Sequence, residues 1–98
     1  MLLQFLVLTK RRTDLFAAEA WTPELLEVES ERVRELFAAG IVRSIWRRGD
    51  MPGAALLFEA ASEEQVQEAM ASLPLAQRGM LEIAALMKLE PYPGFGPR

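Results

Sequence analysis

The chain has 98 residues with no Cys and no His, and its 11 Lys plus Arg against 14 Asp plus Glu give a net charge of −3. This length holds one domain, and the mild acidity, with no basic patch, speaks against a nucleic-acid partner. Without Cys there are no disulfides or Cys-based zinc sites, and without His the usual neutral-pH acid/base and the commonest metal ligand are gone, so any chemistry falls to Glu, Asp, Lys, Arg, Tyr or the backbone.

Met1–Leu8 is apolar apart from Gln4 and reads as the first strand. Lys10-Arg11-Arg12 follows it, whereas a signal peptide carries its charges first. No apolar run approaches the roughly 20 residues that span a membrane. The expectation is a soluble cytoplasmic protein with no membrane partner. Lys10–Trp21 is a mixed segment, its basic residues reading as a solvated loop. Thr22-Pro23-Glu24 then opens a helix, with Thr as N-cap, Pro in the first turn and an acid where the dipole favours it. The helix runs to about Ala39, where Gly40 supplies a left-handed stop.

Ile41–Arg47 alternates and is rich in β-branched residues, predicting a strand; Arg48–Gly53 is turn chemistry, and Ala54–Glu59 completes a hairpin. Ser62 and Gln65 match a capping box ahead of the stripe Val66, Ala69, Met70 and Leu73. Leu73-Pro74-Leu75 ends that helix, Met80–Leu89 is the fourth strand, and the remainder is Pro- and Gly-rich. The order strand, helix, strand, strand, helix, strand is the ferredoxin-like βαββαβ pattern of an α+β fold, a four-stranded antiparallel sheet with two helices on one face.

Two helices leave the other sheet face bare. Simple alternation opposes Leu3, Phe5 and Val7 to Leu2, Gln4, Leu6 and Leu8, groups Val42 with Ser44 and Trp46, and sets Leu81, Ile83, Ala85 and Met87 against Met80, Glu82, Ala84 and Leu86. The bare face is therefore mostly apolar, an association surface. Two sheets meeting in a homodimer would enclose Gln4, Ser44, Trp46 and Glu82 in a cavity; the plainer alternative is a hydrophobic interface with no cavity.

On a helical wheel with Leu26 at zero, Leu25, Leu36, Val33 and Phe37 define an apolar stripe centred near 320°, and Glu29 falls near 300°, inside it. Glu24, Glu27, Glu31, Arg34 and Glu35 take the solvent face. A carboxylate on a core stripe is costly unless paired or protonated, and burial raises its pKa toward that of a useful general acid/base. Glu29 is thus the candidate catalytic group. A structural ion pair with Arg47 or Arg48 is the plainer alternative. Glu82 is a second candidate carboxylate. Arg47 and Arg48 are candidate anchors for a substrate carboxylate, which guanidinium binds bidentately, or else solvated charges at the hairpin end. Trp46 reads as core or cavity wall, and the methionines as gap-fillers.

The order and spacing of Leu36–Gly40, Ile45-Trp46-Arg47, Phe58-Glu59, Leu73-Pro74-Leu75 and Glu82 resemble the muconolactone Δ-isomerase family over about Leu25 to Leu89. The resemblance implies a dimeric α+β barrel domain over residues 1–90 with an extended tail over 91–98. It implies sheet-to-sheet homodimers, larger homo-oligomers up to a decamer, a pocket between subunits, and tails reaching over neighbours. It also implies an allylic proton shift on a small lactone in aromatic-compound catabolism, with no metal or organic cofactor. Glu29 lies where family members carry a helix Glu, while Trp46 and Arg47 match the strand Trp and Arg. Gln4, Ser44 and Glu82 complete the candidate substrate-binding set with Arg48. Departures point to a diverged member with a more apolar pocket: Gly53-Ala54-Ala55-Leu56 replaces a polar Asn-Tyr strand, Ala76-Gln77-Arg78 an aromatic stretch, Gln4 and Ser44 positions that can be His, and Leu89-Glu90-Pro91 a His-Pro ending. Two other readings stay open: a non-catalytic small-ligand-binding or accessory barrel, and a cofactor-free monooxygenase-like relative acting on an aromatic or quinol substrate.

Overall fold

A computed structural model describes residues 1–95. Residues 96–98, the end of the expected tail, lie outside the described residues. The elements are β1 (Leu3–Arg11), α1 (Pro23–Ala38), β2 (Val42–Arg47), β3 (Ala54–Ala60), α2 (Glu63–Ala71), a short α3 (Pro74–Gln77) and β4 (Leu81–Lys88). A 3-10 turn at Ala18–Ala20 precedes α1. The strands form one antiparallel sheet in the order β2-β3-β1-β4, the ferredoxin-like α+β arrangement.

The local signals act as expected at the helix starts. Thr22 Oγ1 accepts from Leu25 N at 3.2 Å, and Ser62 Oγ from Gln65 N at 3.2 Å. Gln65 Oε1 reaches back to Ala61 N at 2.8 Å, one residue earlier than a standard capping box. Gly40 ends α1 at φ +80°. Two boundaries differ from the sequence reading. β1 begins at Leu3 and continues through Arg11, because Thr9, Lys10 and Arg11 pair with Ile83, Glu82 and Leu81 of β4; Lys10 and Arg11 of the basic run are strand, not solvated loop, and Arg12 follows the strand's end. Leu73-Pro74-Leu75 does more than end α2: Pro74 starts α3, a position its fixed φ suits.

The core lies between the sheet and the helices. Phe5, Val7, Val42, Leu56 and Phe58 from the sheet meet Leu36, Val66, Ala69, Met70 and Leu73. A second cluster gathers Leu25, Leu75 and Met80 with Phe16 and Trp21. Phe37, expected in the buried stripe, is exposed; it lies at the stripe's margin on the last turn of α1, and Leu36 takes the core position.

Two register shifts correct the simple alternation. Partners directly across strands share a face. In β2 a shift after Val42 leaves Val42 on the helix face beside Phe58, turns Ser44 and Trp46 to the open face beside Leu57 and Ala55, and returns Ile45 and Arg47 to the helix face beside Leu56 and Ala54. In β4 a shift around Ala84 puts Leu81, Ile83 and Leu86 on the helix face and Glu82, Ala85 and Met87 on the open face. An extra residue in one strand reverses every side chain beyond it. Gln4, Ser44, Trp46 and Glu82 do share the open face. Val42, Ala85 and Met87 do not keep the partners that strict alternation gave them.

Candidate active site

A cavity of about 430 Å³ opens on the helix side of the sheet, beneath α1 and beside α3. Its wall is largely apolar, with Val33, Leu56, Leu73 and Leu81 prominent; its charged groups are Glu29, Arg11, Arg34 and Arg47, and Thr9 and Ser30 add hydroxyls. This combination of an apolar concavity with a few convergent charges is the usual form of a small-molecule site.

Glu29 comes from the middle of α1, where its place on the core-facing stripe turns it toward α3. Its Oε1 accepts a 2.9 Å hydrogen bond from Leu75 N, in the first turn of α3. The partner is thus a backbone amide at a helix start, not Arg47 or Arg48. Pro74 creates this amide's environment by starting α3, and the segment would otherwise expose an unsatisfied N–H. Burial pushes the Glu29 carboxyl above the ordinary glutamate range, opposed by the Leu75 N–H and by the charge of Arg11. The other oxygen accepts no hydrogen bond from the described residues and is available to a ligand.

Arg47 reaches the cavity because the β2 shift restores it to the helix face. It has no salt-bridge partner among the described residues. Trp46 contributes to the rim at the β2 edge, although its register turns the ring toward the open face. Arg48 lies outside the cavity wall. Its Nε and Nη2 hold Asp50 at 3.0 and 2.7 Å, and its Nη1 donates to the Thr9 carbonyl at 3.3 Å, so it braces the hairpin. Gln4, Ser44 and Glu82 stand on the opposite face of the sheet from Glu29. Glu82 pairs there with Arg12 at 3.1 Å and lies across from Lys10.

Two cavity residues escaped the sequence reading. Arg11 was grouped with the loop charges, but extension of β1 turns it to the helix side, where it stacks over Trp21 at 5.5 Å from the ring centroid. Thr9 is buried; its Oγ1 accepts from Ala54 N at 2.9 Å, bridging the ladder where β1 leaves β3. Continued alternation from Phe5 and Val7 would have found both. Among the described residues no three acidic side chains gather in a way that would hold a metal ion.

The family model for muconolactone delta-isomerase matches residues 3–93. The chain belongs to the muconolactone delta-isomerase family. Among solved structures, it is similar to a crystal structure of muconolactone isomerase, with TM-score 0.69 and 25% identity, covering 97% of this chain and 94% of that one. A second similar fold is 5-chloro-2-hydroxyhydroquinone dehydrochlorinase from Burkholderia phenoliruptrix AC1100, solved with 2,5-dihydroxybenzoquinone; there the TM-score is 0.65 and the identity 19%, over 93% of this chain and 95% of that one. At that identity the likeness concerns the fold alone. A comparison with curated proteins finds no match. The family of this isomerase-like chain agrees with the resemblance read from its motifs.

Proposed function

We propose that this protein is a cytoplasmic isomerase that moves a proton allylically on a small lactone or enone carrying a carboxylate. The observation that carries the reading is the half-buried Glu29 carboxylate, with one oxygen anchored and one open, in an apolar cavity shared with an unpaired Arg47. The anchored oxygen fixes the carboxylate's direction. The raised pKa makes it a better base than a solvated glutamate and lets it return the proton afterwards. Arg47 anchors the substrate carboxylate through its planar fork. The apolar wall holds the hydrocarbon part and limits water around the proton in transit.

We propose also that the open sheet faces of two copies pack together, with Gln4, Ser44, Trp46 and Glu82 in that interface. In this arrangement those residues shape the subunit contact while the cavity beneath α1 holds the reacting group.

The test is incubation of the purified protein with muconolactone, following loss of substrate, beside Glu29→Gln. Gln preserves an oxygen for Leu75 N but cannot carry the proton. Turnover by the native protein and a drop of about 10²-fold or more in the variant is the expected result, within the range of general-base contributions. A second reading draws on one observation: Glu29 Oε1 already serves the start of α3, a structural duty. Binding of muconolactone without turnover would replace the isomerase reading with a ligand-binding barrel.

A further inference from the structure

Arg11 is a cation of this cavity that neither the motif pattern nor the proposed reaction has used. Its position is unusually well fixed. The backbone N–H donates to the Pro52 carbonyl at 3.1 Å. The guanidinium lies over Trp21, whose own Nε1 donates to the Phe16 carbonyl at 3.3 Å and whose ring meets Phe16 edge-on at 6.4 Å. Stacking on an indole orients a guanidinium while leaving its N–H groups free to donate at the edge. Arg11 has no salt bridge among the described residues, unlike its neighbour Arg12, which holds Asp14 and Glu82.

The geometry separates Arg11 from Arg47. Thr9, Ala54 and Arg47 form one row across β1, β3 and β2, through the Thr9–Ala54 hydrogen bond and the Ala54–Arg47 pairing. Arg11 lies two residues farther along β1, on the same face. Strand spacing and rise place the two backbone anchors roughly 12 Å apart. The cavity therefore has a cation on each of two sides, and Glu29 descends from α1 as its one carboxylate, with no salt bridge among the described residues; Arg34, also at the wall, is paired with Glu27 at 2.7 Å. Two free guanidiniums against one carboxylate leave the cavity positive. That excess suits a ligand carrying one negative charge at rest and a second during reaction.

We propose that Arg11 is the catalytic residue that stabilises the enolate oxygen, while Arg47 holds the substrate's resting carboxylate. The inference rests on the isomerase reading above and names its substrate class: a small acid whose conjugated carbonyl lies at the opposite end from its carboxylate. In the step, Glu29 takes the proton from the γ-carbon, the carbon just beyond the C=C bond that is conjugated to the carbonyl. The C–H electron pair becomes a dienolate whose negative oxygen faces Arg11. The proton then passes from Glu29 to the carbon next to the carbonyl, the C=C bond moves from the α,β to the β,γ position and the carbonyl re-forms. Atoms and electrons are unchanged overall. Arg11 also favours the ionised form of Glu29, since its charge opposes the effect of burial there. The groups facing Glu29 are thus Arg11 from β1, Arg47 from β2, the paired Arg34 on α1 itself and the Leu75 N–H of α3.

The experiment compares the native protein with Arg11→Met and Arg11→Lys, using muconolactone as substrate, across a pH series. Arg11→Met is expected to lower kcat by roughly 10²-fold, the usual effect of losing one donor to a developing oxyanion, with KM changed less than about threefold. The acid limb of its kcat/KM profile moves to higher pH, because Glu29 has lost a neighbouring cation. Arg11→Lys keeps the charge and restores most of kcat, which also separates the role from simple packing on Trp21. Carbon NMR titration of the Glu29 carboxyl gives the same pKa comparison without turnover, and thermal melts establish that the variants fold. Normal kcat in Arg11→Met, a loss confined to KM, or an unmoved Glu29 titration overturns the assignment to Arg11 and leaves the isomerase reading intact. Absence of turnover by the native protein overturns both, and so identifies the failure as that of the reaction itself.

Discussion

Glu29 serves two purposes that conflict at neutral pH. Its oxygen anchors α3 through Leu75 N, yet burial disfavours its charge. Because the folded carboxyl has the higher pKa, protonation stabilises the fold. That contribution is fully present below the unfolded pKa and is lost as pH rises through the folded value. Glu29→Gln keeps the acceptor and removes the titration. The variant's stability relative to the native protein is therefore expected to rise with pH from about 4, the ordinary unfolded glutamate value, until the native carboxyl is fully ionised, while activity is lost. Denaturant unfolding of both proteins at each pH measures the difference, in which shared titrations cancel; an advantage that shrinks with pH contradicts the account. Thr9 has a simpler task. Thr9→Val keeps the shape but strips Ala54 N of its buried acceptor, and about 1–3 kcal/mol of stability should go with it. Amide exchange at Ala54, faster in the variant, locates the loss.

At the scale of elements, the β2–β3 hairpin sets the cavity's floor, and Gly53 is its tightest point. Its φ of +152° is one that side chains resist, and a Cβ there would stand 2.1 Å from the Thr9 carbonyl oxygen. The obstacle is backbone, so it cannot swing aside. Gly53→Ala should cost at least about 2 kcal/mol and open the wall between Thr9 and Arg47. A melt of the variant within a degree of the native protein would show that the hairpin tolerates a different path. The helix starts were legible because Thr22-Pro23 and Ser62–Gln65 act locally, through groups a few residues apart. Glu29 was legible for a related reason, since one wrong-type residue on a 3.6-residue period marks itself. The register shifts in β2 and β4 were not, because a bulge depends on the partner strand and leaves the sequence pattern almost unchanged. Arg47 reaches the cavity only through such a shift. Arg11 was hidden by its charge: a basic run reads as solvated until Trp21 and the β4 pairing are in place. Pro74 carried the usual helix-start signal, masked by its position just after α2.

At the scale of the whole molecule, the described chain is one-sided. Its helices cover one face, and its radius of gyration of 14.6 Å exceeds the about 12.6 Å of a compact domain this long. The opposite face carries Leu6, Leu8, Leu57, Ala85 and Met87, with Trp46 at the β2 edge. No helix among the described residues is long and apolar enough to cross a membrane, so such a span does not account for that face. The second copy proposed above would, and Leu57 is the position to test. It sits on an inner strand, across from Leu6 and Ser44, and is half-buried in the single chain. In a lone subunit Leu57→Lys costs little, because the lysine stem lies along the sheet and its ammonium reaches water. In a face-to-face dimer the same ammonium is buried without a partner, a penalty of several kcal/mol per ion, met twice by symmetry. Sedimentation should therefore show the native protein associated and Leu57→Lys as a folded monomer with little change in far-ultraviolet circular dichroism. A variant that keeps the native mass would place the subunit contact elsewhere, and the open face would need another cover.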